Sequence, residues 1–259
     1  MHDSITRVLG SHDCTLAFIK RCSELALPMM LKCCIMKPNV KTYPTVKEVA
    51  CKYGALPQFD LNITDSVDGD RCASTCLRLG HEELEVVLRD RDLPYYISNS
   101  EVAVLETKPD ELMCSAGFST FCITPEGNIQ PCCAFPMKVG NVRDASFMET
   151  VNRSRTLGWW REQRLGDCTE CHRQPYCLYC QMCPGNNFTA HGNPLRPSEN
   201  NCYLAKERYG LAQKIKDGYD PLQGRSLQEA LDSLRIEIPA LRRLTTVSYR
   251  DQAGINGVS

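Results

Sequence analysis

Two hydrophobic rhythms alternate along the first quarter of the chain. In SHDCTLAFIKRCSELA (11–26) the apolar positions Leu16, Ile19, Cys22, Leu25 and Ala26 recur at a helical period, and Ser11 or the pair His12-Asp13 can cap the start. Pro28 stops this helix, and PMMLKCCIM (28–36) comes next as a short, nearly all-apolar run, the pattern of a strand buried on both faces. Pro44-Thr45 opens a second helix, TVKEVACKYG, which Gly54 terminates. QFDLNIT (58–64) reads as a second strand, and residues 1–10 as loop. Helix, strand, helix, strand at this rhythm predicts parallel pairing with helical crossovers, an α/β layer structure.

Beyond residue 64 the pattern loosens. DSVDGDRCASTCLRLG reads as loop, HEELEVVLRD (81–90) as a helix, and 91–113 as polar and irregular. FCITPEGNIQPC (121–132) predicts a hairpin, because Pro125-Glu126-Gly127-Asn128 is turn chemistry between alternating apolar residues. Short helices are expected over 145–156 and 158–164, and further ones over 203–217 and 226–236, with a Gly/Pro/Asn-rich segment over 184–200. The last fifteen residues lack periodicity.

Composition narrows the class. The 259 residues suffice for one large domain or two small ones, and the net charge of −1, with both signs interspersed, offers no arm for nucleic acid and no basic face for a membrane. No apolar run approaches the roughly 18–20 residues of a spanning helix, and MHDSITRVLGSHDC has no signal-peptide layout. The expected compartment is the cytoplasm, where clustered cysteines bind metal more readily than they form disulfides. The cysteine count, 17, is odd, which also argues against a fully paired framework.

Ten of those cysteines lie between Cys114 and Cys202. One island holds Cys114, Cys122, Cys132 and Cys133; a second, CTECHRQPYCLYCQMC, has the spacing C-x2-C-x5-C-x2-C-x2-C from Cys168 to Cys183; Cys202 stands alone. Zinc would take four thiolates in a tetrahedron, for which Cys168/Cys171 and Cys180/Cys183 qualify. Iron–sulfur clusters also take four each and accept uneven, interleaved spacing, so ten cysteines fit two 4Fe-4S clusters with two to spare. One zinc would leave six thiols idle, and free or redox-active thiols are the third reading. The earlier cysteines Cys14, Cys22, Cys33, Cys34 and Cys51 fall on helix or strand faces, where cysteine acts as a small hydrophobe.

The order Cys114, Gly127, Cys132 (C-x12-G-x4-C), then C-x2-C-x5-C, then further cysteines and Cys202, resembles the SPASM domain, the C-terminal module of many radical S-adenosylmethionine enzymes. The phrase ITPEGNIQPCCAFPMKVGNVRDASFMETVNRS is similar to that family's hairpin, Gly-Asn and short helix. Upstream, HDSITRVLGSHDCTLAFIKRCSELALPMMLKCCIMKPN and LNITDSVDGDRCASTCLRLGHEEL resemble the later part of a radical S-adenosylmethionine barrel. The resemblance implies an α/β fold: the C-terminal half of a (β/α)6 partial TIM barrel over 1–105, a small cysteine-rich α+β SPASM domain over 106–205, and a helical tail over 206–259.

The same resemblance implies an inner 4Fe-4S cluster on Cys114, Cys132 and either Cys180 or Cys183. Cys122 completes it, or one iron stays open for substrate. An outer 4Fe-4S cluster falls to Cys168, Cys171, Cys177 and Cys202. Cys133 would stand beside the inner cluster without binding it, and a cysteine there, where sulfatase-maturing members carry an acid, makes peptide-modifying maturases the better analogue. Arg71 would meet the carboxylate of S-adenosylmethionine or make a surface salt bridge. His172 reads as a loop residue, and Trp159-Trp160 as packing the small domain against the barrel. The C-x3-C-x2-C motif that holds the family's S-adenosylmethionine cluster is absent: Cys72 and Cys76 have the first spacing, but Leu79 occupies the third position.

The expectation is therefore part of a radical S-adenosylmethionine oxidoreductase, a fragment or a split protein inactive by itself. In the full-length enzyme S-adenosylmethionine and a third 4Fe-4S cluster would generate the radical that abstracts a substrate hydrogen. Expected partners are a peptide or protein substrate, an N-terminal barrel half on a separate chain, and a reductant such as ferredoxin or flavodoxin, with no nucleic acid and no membrane. A non-catalytic iron–sulfur electron-transfer or peptide-binding module, and a zinc-stabilised structural domain, are the alternatives.

Overall fold

The computed structural model describes residues 2–64, 75–98, 110–164 and 175–237, together with the backbone of Val247 and Ser248. Contacts divide the chain into two compact units: Met1–Leu61 with Cys76–Pro94 and Leu222–Ser259, and Asn62–Thr75 with Tyr95–Pro221. The architecture is mixed α/β.

The first unit is built on one parallel β-α-β element. Strand Met30–Cys34 pairs in parallel with Leu56–Asp60, from Met30 opposite Leu56 to Cys34 opposite Asp60. Helix Thr45–Tyr53 makes the crossover and packs on both strands. The helix ends where expected, because Gly54 takes the left-handed conformation (φ 69°) that releases the chain into the next strand. Ile35, Val40, Tyr43, Ala50 and Phe59 form its interior. Helix His81–Val87 supplies Leu84 and Val87 to the same unit and packs against Leu227–Ser233, which returns from far along the sequence. Lys41 Nζ donates to the Asp232 carbonyl at 2.9 Å across that return.

A buried ionic group anchors this unit. Asp90, 3% exposed, accepts the Tyr43 hydroxyl at 2.7 Å and Lys47 Nζ at 2.8 and 2.7 Å. Burial works against the Lys47 charge, but hydrogen bonds to Asp90 and Asp92 outweigh it and hold its pKa above the ordinary value. Burial and the Asp90 carboxylate together push the Tyr43 hydroxyl up.

Three readings from the hydrophobic pattern are corrected here. Residues 2–9 are not loop: they contain a short helix, His2–Thr6, and Val8–Leu9 pairs in parallel with Val247–Ser248. The helix predicted over 11–26 spans Ser11–Glu24, and its cap is neither Ser11 nor His12-Asp13. Gly10 is the N-cap residue, and the Asp3 carboxylate accepts from the N–H groups of Gly10 and His12 at 2.7 and 2.8 Å and from Ser11 Oγ at 3.0 Å. Finally, the strand read as buried on both faces is exposed at every second residue; Met30 and its neighbour Leu56 are 59% and 67% exposed. Among the described residues each strand of this pair has one hydrogen-bonded neighbour, and the crossover helix covers one face. No closed barrel occurs among the described residues.

The second unit holds a three-stranded antiparallel sheet, Cys122–Ile123, Asn128–Gln130 and Gly140–Asn141. Helices Phe147–Arg153 and Arg155–Glu162 come next, each started by a serine whose hydroxyl accepts a backbone N–H: Ser146 from Glu149 and Ser154 from Leu157, both at 3.3 Å. Helix Pro184–His191 and the long helix Glu199–Lys216 complete it. The first of these lies in the Gly/Pro/Asn-rich stretch; Pro184 at the first turn suits a helix start, and burial of Pro184, Gly185, Asn186 and Asn187 supplies what propensity does not.

Its core gathers Met113, Ala116, Ile129, Phe135, Met137, Val151, Leu157 and Trp160. Trp160 belongs to this interior: it is 1% exposed, stands edge-on to Phe135 with centroids 5.1 Å apart, and donates its indole N–H to the Ala116 carbonyl at 2.7 Å. Trp159, one position back and roughly 100° around the helix, is exposed, so the pair does not act together as expected. No described helix is long and apolar enough to cross a membrane.

Candidate metal centre

The hairpin fixes the first pair of cysteines. Ile123 pairs with Ile129 and Cys122 with Gln130, and the turn closes at Gly127, whose φ of 84° no side chain adopts cheaply. Asn141, from the third strand, clamps that turn: its Nδ2 donates to the Glu126 carbonyl at 3.0 Å and to Asn128 Oδ1 at 3.1 Å. With the sheet held, Cys114 and Cys132 pack against the same core cluster, together with Met182.

Cys132 is the centre of the first thiol group. Its thiol is pushed up to about 11, first by burial, against a backbone N–H of Ala134 that favours the thiolate, and then by the charges of Cys133, Cys183 and Cys114. Cys183 therefore lies on the Cys114/Cys132 side. Cys133 is exposed and adjacent in sequence, and Cys122 is half-buried on the first strand.

A close backbone approach brings Cys183 there. Helix Pro184–His191 starts directly after it and lies so near residues 134–135 that a Cβ on Gly185 would sit 2.1 Å from the Ala134 carbonyl oxygen. Only glycine permits this seat. Asn187, fully buried, ties the helix to the segment that leads into the long helix: its Nδ2 donates to the Pro194 carbonyl at 2.8 Å, and its Oδ1 accepts from Ser198 N–H at 2.8 Å and Asn201 Nδ2 at 2.9 Å. Asn201 Nδ2 also reaches the Cys183 carbonyl at 3.3 Å. Ser198 caps the long helix, whose first turn carries Cys202.

Cys180 is the centre of a second group. Its thiol is pushed up to about 12 by burial, then by Cys202 and Cys177, with Arg208 pulling the other way. The turn Pro175–Tyr179 positions Cys177, whose carbonyl accepts the Cys180 N–H at 3.0 Å. The two cysteines between which the spacing could not choose thus part company: Cys183 stands with Cys114 and Cys132, Cys180 with Cys177 and Cys202. Cys168, Cys171 and His172 lie outside the described residues, as do Arg71 and Cys72.

Among the described residues no three His, Cys, Asp or Glu side chains converge closely enough to hold a single metal ion. A cubane cluster asks less of its ligands, since each thiolate serves a different iron. The residues present fit such a group in two ways. They offer soft, half-buried thiol donors, and they offer hydrogen-bond donors without acceptors: Asn186 Nδ2, Asn200 Nδ2 and Arg208 Nε are buried with no hydrogen-bond partner among the described residues, as are the acceptors Asn186 Oδ1 and Asn201 Oδ1. All of these atoms sit on the helix that begins after Cys183 or the helix that carries Cys202. Buried donors of this kind need an acceptor, and cluster and cysteinyl sulfurs accept N–H groups. Sequence reasoning missed these residues, because an asparagine or arginine on a helix carries no local sign of burial.

Grouped, half-buried thiols with orphaned donors on the adjoining helices, on a small α+β frame, are the features of a metal–thiolate domain. Residues 114–184 match the model of the SPASM family, an iron–sulfur cluster-binding domain. The match begins at Cys114 and ends one residue past Cys183, so this stretch carries an iron–sulfur domain of the SPASM type. No curated protein matches the chain.

Proposed function

We propose that this chain supplies two auxiliary 4Fe-4S centres to a radical S-adenosylmethionine enzyme that modifies a peptide or protein. The observation that carries this reading is the sorting of the cysteines, inside and just beyond the SPASM match, into two separate groups. Cys114, Cys132 and Cys183 would hold the inner centre, with Cys122 or substrate at the remaining iron. Cys177 and Cys202 would hold the outer one with Cys168 and Cys171, and Cys180 stands beside them. When bound, such centres exchange single electrons or hold a substrate group. The chain's own residues half-bury the thiols, pack Cys114 and Cys132 against the core of Phe135, Phe188 and Met182, and give up thiol protons as metal is taken on.

The parallel β-α-β element supports reading the first unit as the later half of a (β/α)6 barrel, with Arg71 toward S-adenosylmethionine. The C-x3-C-x2-C ligands would come from a separate N-terminal half, and electrons from ferredoxin or flavodoxin in the cytoplasm.

Anaerobic purification with iron and sulfide analysis tests the reading. About eight irons per chain are expected; one or two zincs without sulfide overturn it and favour the structural alternative. Cys183→Ser should remove the inner centre and about half the iron, while Cys180→Ser keeps both centres; the reverse pattern refutes the assignment of Cys183. Formation of 5′-deoxyadenosine by this chain alone, with S-adenosylmethionine and dithionite, contradicts the requirement for a second half.

A further inference from the structure

Arg208 is a buried cation with no carboxylate partner among the described residues. It is 4% exposed, on the helix that carries Cys202. One of its Nη atoms donates to the Tyr179 carbonyl, the residue before Cys180. Its guanidinium lies over the rings of Tyr95 and Tyr179, with centroids at 5.4 and 6.0 Å. Those rings are themselves packed; Tyr179 stands edge-on to Tyr209 at 5.6 Å. The Nε–H has no hydrogen-bond partner among the described residues. The groups whose charge acts on it are Tyr95, Cys180 and Tyr179. Tyrosine hydroxyls are neutral at pH 7, and the Cys180 thiol, pushed up to about 12, is neutral as well; Cys180 stands with Cys177 and Cys202, so a thiolate-bound cluster there would supply the negative charge that the described residues beside Arg208 do not. A guanidinium remains charged even when buried, and an unpaired buried charge is unfavourable unless something answers it.

We propose that Arg208 is the built-in counter-charge of the outer iron–sulfur centre, a positioning residue that raises its reduction potential. The inference rests on the iron–sulfur reading above. A thiolate-bound cluster is anionic and becomes more so when it accepts an electron. A fixed positive charge in a buried, low-dielectric setting therefore favours the reduced state, and the free Nε–H is suited to a cluster or cysteinyl sulfur. Two rigid aromatic rings and the Tyr179 carbonyl hold the charge in place. The groups acting on Cys132 of the inner group are a backbone N–H and other cysteines. Arg208 thus sets the potential of the outer centre separately from that of the inner one.

The full chain is reconstituted anaerobically as wild type, Arg208→Lys and Arg208→Gln, and its iron and sulfide are measured first. A wild type without iron and sulfide overturns the iron–sulfur reading itself. In the loaded proteins the centres are titrated by electron paramagnetic resonance, the outer signal being the one that Cys202→Ser disturbs. Arg208→Gln should lower the reduced-to-oxidised ratio of the outer centre at the wild-type midpoint about tenfold, equivalent to about 59 mV for a one-electron couple. Arg208→Lys should lower it much less, and the inner signal should not move in either. Equal shifts for Lys and Gln, a shift of both centres together, or no shift refutes the counter-charge role. If Arg208→Gln fails to load iron while Arg208→Lys loads fully, the requirement for charge stands. If neither variant loads, Arg208 serves folding and the proposal is wrong.

Discussion

Gly185→Ala puts one methyl group where the backbone of residues 134 and 135 already is. The added Cβ would lie 2.1 Å from the Ala134 carbonyl oxygen, 2.6 Å from its carbonyl carbon and 3.1 Å from Phe135 N. These are main-chain atoms, which cannot swing aside as a side-chain tip can, so helix Pro184–His191 must withdraw by about 1 Å, and overpacking of this kind costs about 1–3 kcal/mol. Working against it is the gain of about 1 kcal/mol for replacing glycine by alanine in a helix. The steric term wins because the clash is with the backbone of two successive residues, leaving a net loss of up to about 2 kcal/mol, which at that upper end lowers the unfolding midpoint by roughly 4–8 °C. The withdrawal also draws Cys183 away from Cys132, so iron content should fall toward half while the outer centre remains. Gly158→Ala serves as the control: it lies in helix Arg155–Glu162, exposed, with nothing within 4 Å of its added Cβ, and should stabilise by about 0.5–1 kcal/mol. Thermal unfolding and iron and sulfide analysis on the three proteins decide the matter. A Gly185→Ala protein with wild-type stability and iron content would refute the close seat of this helix as the device that delivers Cys183.

Two further outcomes test the first unit. The Asp3 carboxyl is held down to about 2 from its ordinary 3.8, first by the N–H of His12 and then by that of Gly10. A depressed folded pKa contributes stability above pH 3.8 that is lost as pH falls through about 2. Asp3→Asn should therefore lower the unfolding midpoint at pH 7 and flatten the stability profile between those two values; an unchanged profile would discount the cap. Asp90→Ala removes the shared acceptor of Tyr43 and Lys47 and should cost about 3 kcal/mol in urea unfolding, the low end for a broken buried pair, because Asp92, 2.6 Å from Lys47, remains. A loss below about 0.5 kcal/mol would place it with ordinary surface changes.

What the sequence determined by itself was local or countable. The helical period over 11–26, the stop at Gly54, the Gly127 turn and the number and spacing of the cysteines all act within a few residues of where they are written. So does the text over 114–184 that carries the resemblance to a SPASM domain. Tertiary structure decided whatever depends on which distant segments meet. Cys180 and Cys183 are three positions apart and chemically identical. They separate because the Pro175–Tyr179 turn faces the helix of Cys202, while Gly185 lets the next helix close on Ala134. The cap of Ser11–Glu24 comes from Asp3, well upstream of the helix start, and one face of a nearly all-apolar strand stays open because burial depends on neighbours, not on composition. Arg208 is the extreme case. On the sequence it is one more charged residue on a polar helix; only the fold encloses it between two tyrosine rings beside a group of thiols, where a single positive charge has consequences.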